Sequence, residues 1–207
     1  AVAQAASAGV ATGVSAAGRT PFALSDEEIG RWIGHAGSDV WEVIAPGIDE
    51  ETKKAYFALA GADMKRLVLA GKARLYPHAL EALTELKAAG HTLVFLSNCN
   101  RDYMETHREY FGLTEYFSGF YNAEDYGYAP KHRIFPFIAK AFPEENPRHY
   151  IVIGDRHCDI AVATTHGLKS IGCTYGYGKP EELEEATALC NSAATLPQRV
   201  EELLQRM

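Results

Sequence analysis

Four short apolar runs punctuate the last two-thirds of the chain. They are HTLVFLSN (91–98), a shorter run inside YFSGFYNAED (116–125), HYIVIGD (149–155) and KSIGCTYG (169–176). Apolar character at successive positions, without alternation, belongs to strands covered on both faces, as in a parallel sheet. The segments between them carry helical punctuation. YPHALEALTELKAAG sets Leu80, Leu83 and Leu86 on one face, with Pro77 in the first turn and Gly90 as the stop. NRDYMETHREYFG starts at Asn100 as N-cap and ends at Gly112, DIAVATTHG ends at Gly167, and KPEELEEATAL has proline near its start. This alternation from Leu75 onward predicts an α/β fold, a doubly wound, Rossmann-like parallel sheet with helices on both faces.

The first 70 or so residues read differently. SDEEIGRWIGHAGSDVWEVI opens on a capping box, Ser25 with Glu28, and holds no strand-like run. DEETKKAYFALAGADMKRLVLAGK continues the helical pattern, and Trp32 and Trp41 are expected in its core. The alanine-rich opening AVAQAASAGVATGVSAAG lacks a basic start, and Gln4, Ser7 and Ser15 interrupt any apolar core, so it reads as an amphipathic helix and not a secretion signal. The expected division is a small all-helical domain over 1–72 and an α/β core over 73–207, with no low-complexity linker and no internal repeat.

Composition narrows the partners. The chain has 207 residues, 47% of them hydrophobic and 23% charged, enough for one domain with a small second one. A net charge of −7 gives no general footprint for nucleic acid or an anionic membrane. An acidic protein that handles an anion needs a metal ion or a local cluster of donors. No apolar run approaches the roughly 20 residues of a membrane span. Cys99, Cys158, Cys173 and Cys190 form no CxxC pair, which points to reduced thiols and a cytoplasmic protein. Oligomeric state leaves no signal in the sequence.

In a doubly wound sheet, ligands bind beyond the carboxyl ends of the strands. There the first apolar run ends in Ser97-Asn98, the loop YGYAPKH after the second holds Lys131, and the third ends in Gly154-Asp155 with Asp159 one helical turn on. Hydroxyl, amide and ammonium are anion-binding groups, and Lys131 is a point charge suited to phosphate. Carboxylates beside a phosphate would repel it unless a hard cation intervenes. Mg²⁺ suits that position because it accepts one or two carboxylates and keeps waters and phosphate oxygens. The set reads as Mg²⁺-assisted phosphoryl chemistry on a small phosphorylated substrate. Taken singly, each piece has a plainer reading: turn chemistry for Ser97-Asn98, a solvated loop lysine for Lys131, a helix N-cap for either aspartate. Their joint placement, three loops in order at three strand ends, favours the site.

Other motifs carry less. DRHCD superficially packs zinc ligands, but adjacent His and Cys side chains diverge and no second ligand pair follows. TYGYGK (174–179) is not GxxxxGK[ST] and reads as a turn joining strand to helix, its aromatics available to line a pocket. No histidine has a nucleophile partner at a useful spacing.

The order Ser97-Asn98, Lys131, GDRHCD resembles the haloacid dehalogenase superfamily, in its phosphoglycolate phosphatase-like branch. The matching context includes YPHALEALTELKAAGHTLVFLSN, YFSGFYNAEDYGYAPKHRIF, IVIGDRHCDIAVATTHGLKSIGCTYGYGKPEEL and, earlier, LSDEEIGRWIG. The resemblance implies that Ser97 and Asn98 bind the phosphoryl group and that Lys131 steadies the charge of nucleophile and phosphate. It also implies that Asp155 ligates Mg²⁺, with Asp159 as a supporting metal carboxylate. The residues before about 72 would form a helical cap that closes over substrate.

One family element has no counterpart. The DxDxT motif, which supplies the aspartate nucleophile and an acid/base aspartate, matches none of Asp26, Asp39 or Asp49. The family pattern would put it just before Ala1, on a strand central to the sheet. The expectation is that a strand and a loop precede these residues in an active enzyme, because removing a central strand leaves backbone groups unpaired on two neighbours. The expected function is a phosphoric monoester hydrolase working through an aspartyl-phosphate. Alternatives are a sugar-phosphate mutase on the same scaffold and a catalytically silent phosphate-binding relative.

Overall fold

The structure is a computed structural model that describes residues 49–146 and 149–205. The Ser25–Glu28 capping box and both tryptophans lie outside the described residues. In chain order the main elements are α1 (Glu50–Leu69), α2 (Ala79–Ala88), β1 (Val94–Ser97), α3 (Arg101–Tyr110), β2 (Gly119–Asn122) and α4 (Lys131–Ala141). There follow β3 (Ile151–Gly154), α5 (His157–His166), β4 (Lys169–Cys173), β5 (Ala188–Cys190) and α6 (Leu196–Gln205). Among the described residues, no helix is long and apolar enough to cross a membrane.

These elements fall into two compact units. One contains the described residues up to Arg74 together with Cys99–Thr114; the other contains Leu75–Asn98 and Glu115 onward. In the first unit α1 packs on α3, and an exposed Lys65–Asp102 ion pair of 2.7 Å joins them. The α3 start follows its sequence signal: the Asn100 side chain accepts the Tyr103 N–H at 2.8 Å, so one orphan donor of the first turn is satisfied.

The second unit is α/β with every strand pairing parallel. β1 pairs with β2 so that Ser97 lies opposite Asn122, and β3–β4–β5 form a second ladder with Gly154 opposite Gly172 and Cys173 opposite Cys190. β4, flanked on both edges, is the most buried strand, with Ile171 fully covered. Ile171 joins Leu86, Cys190, Leu196, Val200 and Leu203 in one core cluster, where the apolar faces of α2 and α6 meet the sheet. β1 is only half-buried along its length, and Ile153 of β3 is exposed. Among the described residues no ladder joins β1 to β3.

The strands are shorter than the apolar runs that announce them, because the flanking apolar residues serve the loops and helix contacts. Two expectations require correction. Pro77 precedes α2 and is not in its first turn; His78 intervenes as N-cap in the left-handed region, φ 63°. KPEELEEATAL forms no α-helix. It makes one 3-10 turn, Pro180–Leu183, and then gives β5. Glu182 folds back on the Lys179 N–H at 3.2 Å, and Ala188–Cys190 gain ladder hydrogen bonds from β4 that outweigh the local helical preference of the glutamates.

α4 shows how a local defect is repaired by tertiary structure. Pro136 sits inside the helix and has no N–H to give the carbonyl four residues earlier, that of His132. The ring Nε2 of His166, at the end of α5, donates to that carbonyl at 2.7 Å, while the ring packs on Phe135 at 4.9 Å. The α4–α5 contact therefore rests on a hydrogen bond that the proline made available.

Candidate active site

Three strand ends of the second unit supply the site. After β1, the Asn98 amide donates to the Cys158 sulfur at 3.6 Å, which ties this loop to the first turn of α5. Ser97 is the last residue of β1, half-buried, in register with Asn122.

The loop after β2 is built around Asn122, which is fully buried. Its side chain accepts the Asp125 N–H at 3.0 Å and donates to the Asp125 carboxylate at 2.8 Å, which closes a tight turn. The chain then passes Gly127 (φ 62°) and Tyr128 (φ 58°) and reaches Pro130, which caps α4. Lys131 is thus the first residue of α4, aimed by a turn that a buried amide holds rigid.

After β3, Gly154 has a steric reason. A Cβ there would overlap the Asp159 side chain, so only glycine lets that carboxylate fold beneath the strand end. Asp159 is buried, and one oxygen accepts from Lys131 Nζ at 2.6 Å while the other accepts the Arg156 N–H at 3.0 Å. Lys131 is as well covered, both side chains being 11% exposed. Burial alone would push the ammonium's pKa down, but the charge and hydrogen bond of Asp159, with Asp155 behind it, raise it above the ordinary lysine value. Lys131 is a fixed positive charge at neutral pH.

Asp155 has a different environment. It is half-buried, and one oxygen accepts the Tyr177 N–H at 2.7 Å. The segment after β4 lies directly on it: Cβ atoms at Gly176 or Gly178 would overlap the Asp155 side chain and backbone carbonyl respectively. Further along that segment, Glu182 accepts from Arg156 Nε at 2.8 Å, from the His157 N–H at 3.2 Å and from the Lys179 N–H at 3.2 Å. Burial alone would raise the Glu182 carboxyl, yet the Arg156 guanidinium and the two N–H donors hold it below its ordinary value. Tyr76 and Tyr175 meet edge to face at 5.2 Å nearby. Burial, then the neighbouring Tyr177 and Asp155, push the Tyr76 hydroxyl up to about 12, so it stays protonated and available as a donor.

The structure therefore brings Asn98, Lys131 and Asp159 to one rim and sets Asp155 within electrostatic reach of Lys131. Sequence reading missed the roles of Arg156, Cys158 and Glu182 and the close approach of Gly176 and Gly178. Only the Gly-rich spacing of TYGYGK hinted at the last of these, and that segment clamps Asp155. Among the described residues, no three of His, Cys, Asp or Glu converge as a metal cluster. Zinc, which takes three or four protein ligands, has no set to bind there, whereas one half-buried carboxylate with an oxygen held by an N–H suits Mg²⁺.

The strand-end rim of this parallel α/β unit thus carries a buried lysine–aspartate pair with a second carboxylate beside it. Residues 4–167 match the haloacid dehalogenase-like hydrolase profile, and the chain belongs to that family. Among curated relatives it is 29% identical over 127 residues to a phosphoglycolate phosphatase of Vibrio vulnificus, covering 59% of this chain and 54% of that protein. It is 31% identical over 145 residues to one of Agrobacterium fabrum, covering 68% and 61%. The chain thus spans less than two-thirds of the length of either relative. In fold it is similar to a hydrolase from Pseudomonas syringae (TM-score 0.77, 19% identity, 97% of this chain and 92% of that one). It is also similar to CbbY from Rhodobacter sphaeroides, solved in complex with phosphate (TM-score 0.75, 18% identity, 93% and 89%).

Proposed function

We propose that this protein is a Mg²⁺-dependent phosphoric monoester hydrolase acting on a small phosphorylated metabolite, phosphoglycolate being the first candidate. The observation that carries the reading is the buried Lys131–Asp159 pair beside Asp155 and Asn98, on a chain of the haloacid dehalogenase-like family. The curated phosphoglycolate phosphatases motivate the choice of substrate.

In this reading Lys131 holds the phosphoryl oxygens, and Asp159 keeps the ammonium charged and aimed. The Ser97 hydroxyl and Asn98 amide donate to the remaining oxygens. Asp155 holds the metal, with Asp159 in support through its hold on Lys131. When bound, Mg²⁺ supplies positive charge against the phosphate as it expands. The nucleophile is an aspartate carboxylate from outside the described residues: it bonds to phosphorus as the ester P–O bond breaks and the substrate leaves as its alcohol, and water then hydrolyses the aspartyl-phosphate to inorganic phosphate and the free carboxylate. The half-buried β1 and β3, which share no ladder, suit a strand seated between them as its carrier. Residues 1–72 are assigned the substrate-selecting cap role. Four thiols suit a reducing, cytoplasmic setting.

The test is phosphate release by the full-length protein from phosphoglycolate and a panel of sugar phosphates, with Mg²⁺ and with chelator. Mg²⁺-dependent release that Asp155→Asn lowers by about a hundredfold or more is expected. Turnover unaffected by chelator, or by Asp155→Asn, would overturn the proposal. Conversion of a sugar phosphate to its isomer without release would favour the mutase.

A further inference from the structure

Glu182 lies 27 positions beyond Asp155 and no strand-end rule points to it, yet its carboxylate gathers three donors from two different segments. Arg156 Nε and the His157 N–H come from the start of α5, and the Lys179 N–H comes from the segment after β4. The Arg156 and Glu182 side chains are 8% and 23% exposed, so the pair is shielded from solvent. Just before the Pro180–Leu183 turn the segment crosses Asp155 at close quarters. The Tyr177 N–H occupies one carboxylate oxygen at 2.7 Å, and Gly176 and Gly178 lie too close to Asp155 to admit a Cβ. A backbone N–H on one carboxylate oxygen orients the group and leaves its other oxygen to offer.

We propose that Glu182 is a positioning residue for Asp155: it latches residues 176–182 to the start of α5, so that the Tyr177 N–H fixes the Asp155 carboxylate for a divalent cation. The inference rests on the reading of Asp155 as the metal carboxylate. Glu182 touches neither substrate nor metal. Without it, Arg156 Nε and the His157 N–H lose the carboxylate that ties the turn to the start of α5, and the Tyr177 N–H is then free to leave Asp155.

The experiment compares Glu182→Ala, Glu182→Gln and Asp155→Asn in the full-length protein with wild type. Mg²⁺ affinity is read by calorimetry, and the Tyr177 amide resonance is read by NMR in metal-free protein. The amide, bonded to a carboxylate, is expected downfield in wild type and displaced in both Asp155→Asn and Glu182→Ala. Glu182→Ala should weaken Mg²⁺ binding by about tenfold. Glu182→Gln keeps an oxygen for Arg156 but cannot also accept from Lys179, so it should fall between the two and rescue part of the loss. A fold defect alone would not move a single amide in parallel with the metal affinity. If Glu182→Ala does not fold, the Glu182→Gln comparison decides alone. Unchanged Mg²⁺ affinity and an unmoved Tyr177 amide in the Glu182 variants, with binding abolished in Asp155→Asn, would overturn the positioning role and leave the metal site standing. Full Mg²⁺ affinity in Asp155→Asn would remove the metal assignment and the positioning role together.

Discussion

The Lys131–Asp159 pair gives the sharpest quantitative test, because both side chains are only 11% exposed. Asp159→Ala leaves an ammonium buried without its counter-charge, for which about 3–5 kcal/mol of destabilisation is expected. Lys131→Met should cost less, because the Asp159 carboxylate keeps the Arg156 N–H at 3.0 Å and sits in the first turn of α5, where the helix dipole favours negative charge. The double variant Lys131→Met/Asp159→Asn removes both charges and retains a side-chain oxygen for the Arg156 N–H. It should therefore be less destabilised than Asp159→Ala, within about 1–2 kcal/mol of wild type. Equilibrium urea unfolding of wild type, Lys131→Met, Asp159→Asn and the double variant supplies the cycle, with Asp159→Ala as the uncompensated control, and calorimetry with inorganic phosphate supplies the functional readout. Phosphate affinity should fall in both variants that lack the lysine. The pH dependence has a definite sign. Lys131 is raised in the fold above the ordinary 10.5, so its contribution is complete below that pH and is lost as pH climbs through the folded value. Wild type should lose stability above pH 10.5 more steeply than Lys131→Met. Strictly additive single-variant costs in the double variant would refute the idea that the two charges are buried as a pair.

Four further outcomes follow from the packing. Gly154→Ala should destabilise by about 1–3 kcal/mol and weaken phosphate binding, because its Cβ overlaps the Asp159 side chain. Gly61→Ala in α1, where a Cβ meets nothing within 4 Å among the described residues, should stabilise by about 0.5–1 kcal/mol, and thermal melts of both check the contrast. His166→Ala should cost about 1–3 kcal/mol in wild type, because the His132 carbonyl loses its donor. The same change should cost measurably less beside Pro136→Ala, where a helical N–H returns; equal costs in the two backgrounds would refute the repair. Burial holds His107 below the ordinary histidine value of 6.5, against the opposing backbone bond to Tyr103. The fold therefore prefers the neutral ring, and this share of stability declines as pH falls below 6.5. Urea midpoints of wild type and His107→Gln should converge toward acid pH, and parallel curves would refute the reasoning.

The apolar runs and the polar residues that end them announced four strands and the placement of Ser97, Asn98, Lys131, Asp155 and Asp159 beyond the carboxyl ends of three of them, because burial on both faces of a parallel sheet demands apolar runs and polar residues mark where they end. The caps at Asn100 and Gly167 were equally legible, since they depend on neighbours a few residues away. β5 was not: Ala188-Leu189-Cys190 becomes a strand only because β4 presents an edge to it, and the glutamates before it read locally as helix. Nor could spacing divide the labour between two similar aspartates. Asp159 turns inward to Lys131 because Gly154 leaves room beneath the strand end, whereas Asp155 is held by an N–H from a segment 22 residues away. Periodicity and strand ends are local properties that the sequence by itself determined. Which carboxylate pairs with an ammonium and which is held by a backbone N–H depends on segments far apart in the chain, and only the tertiary structure decided it.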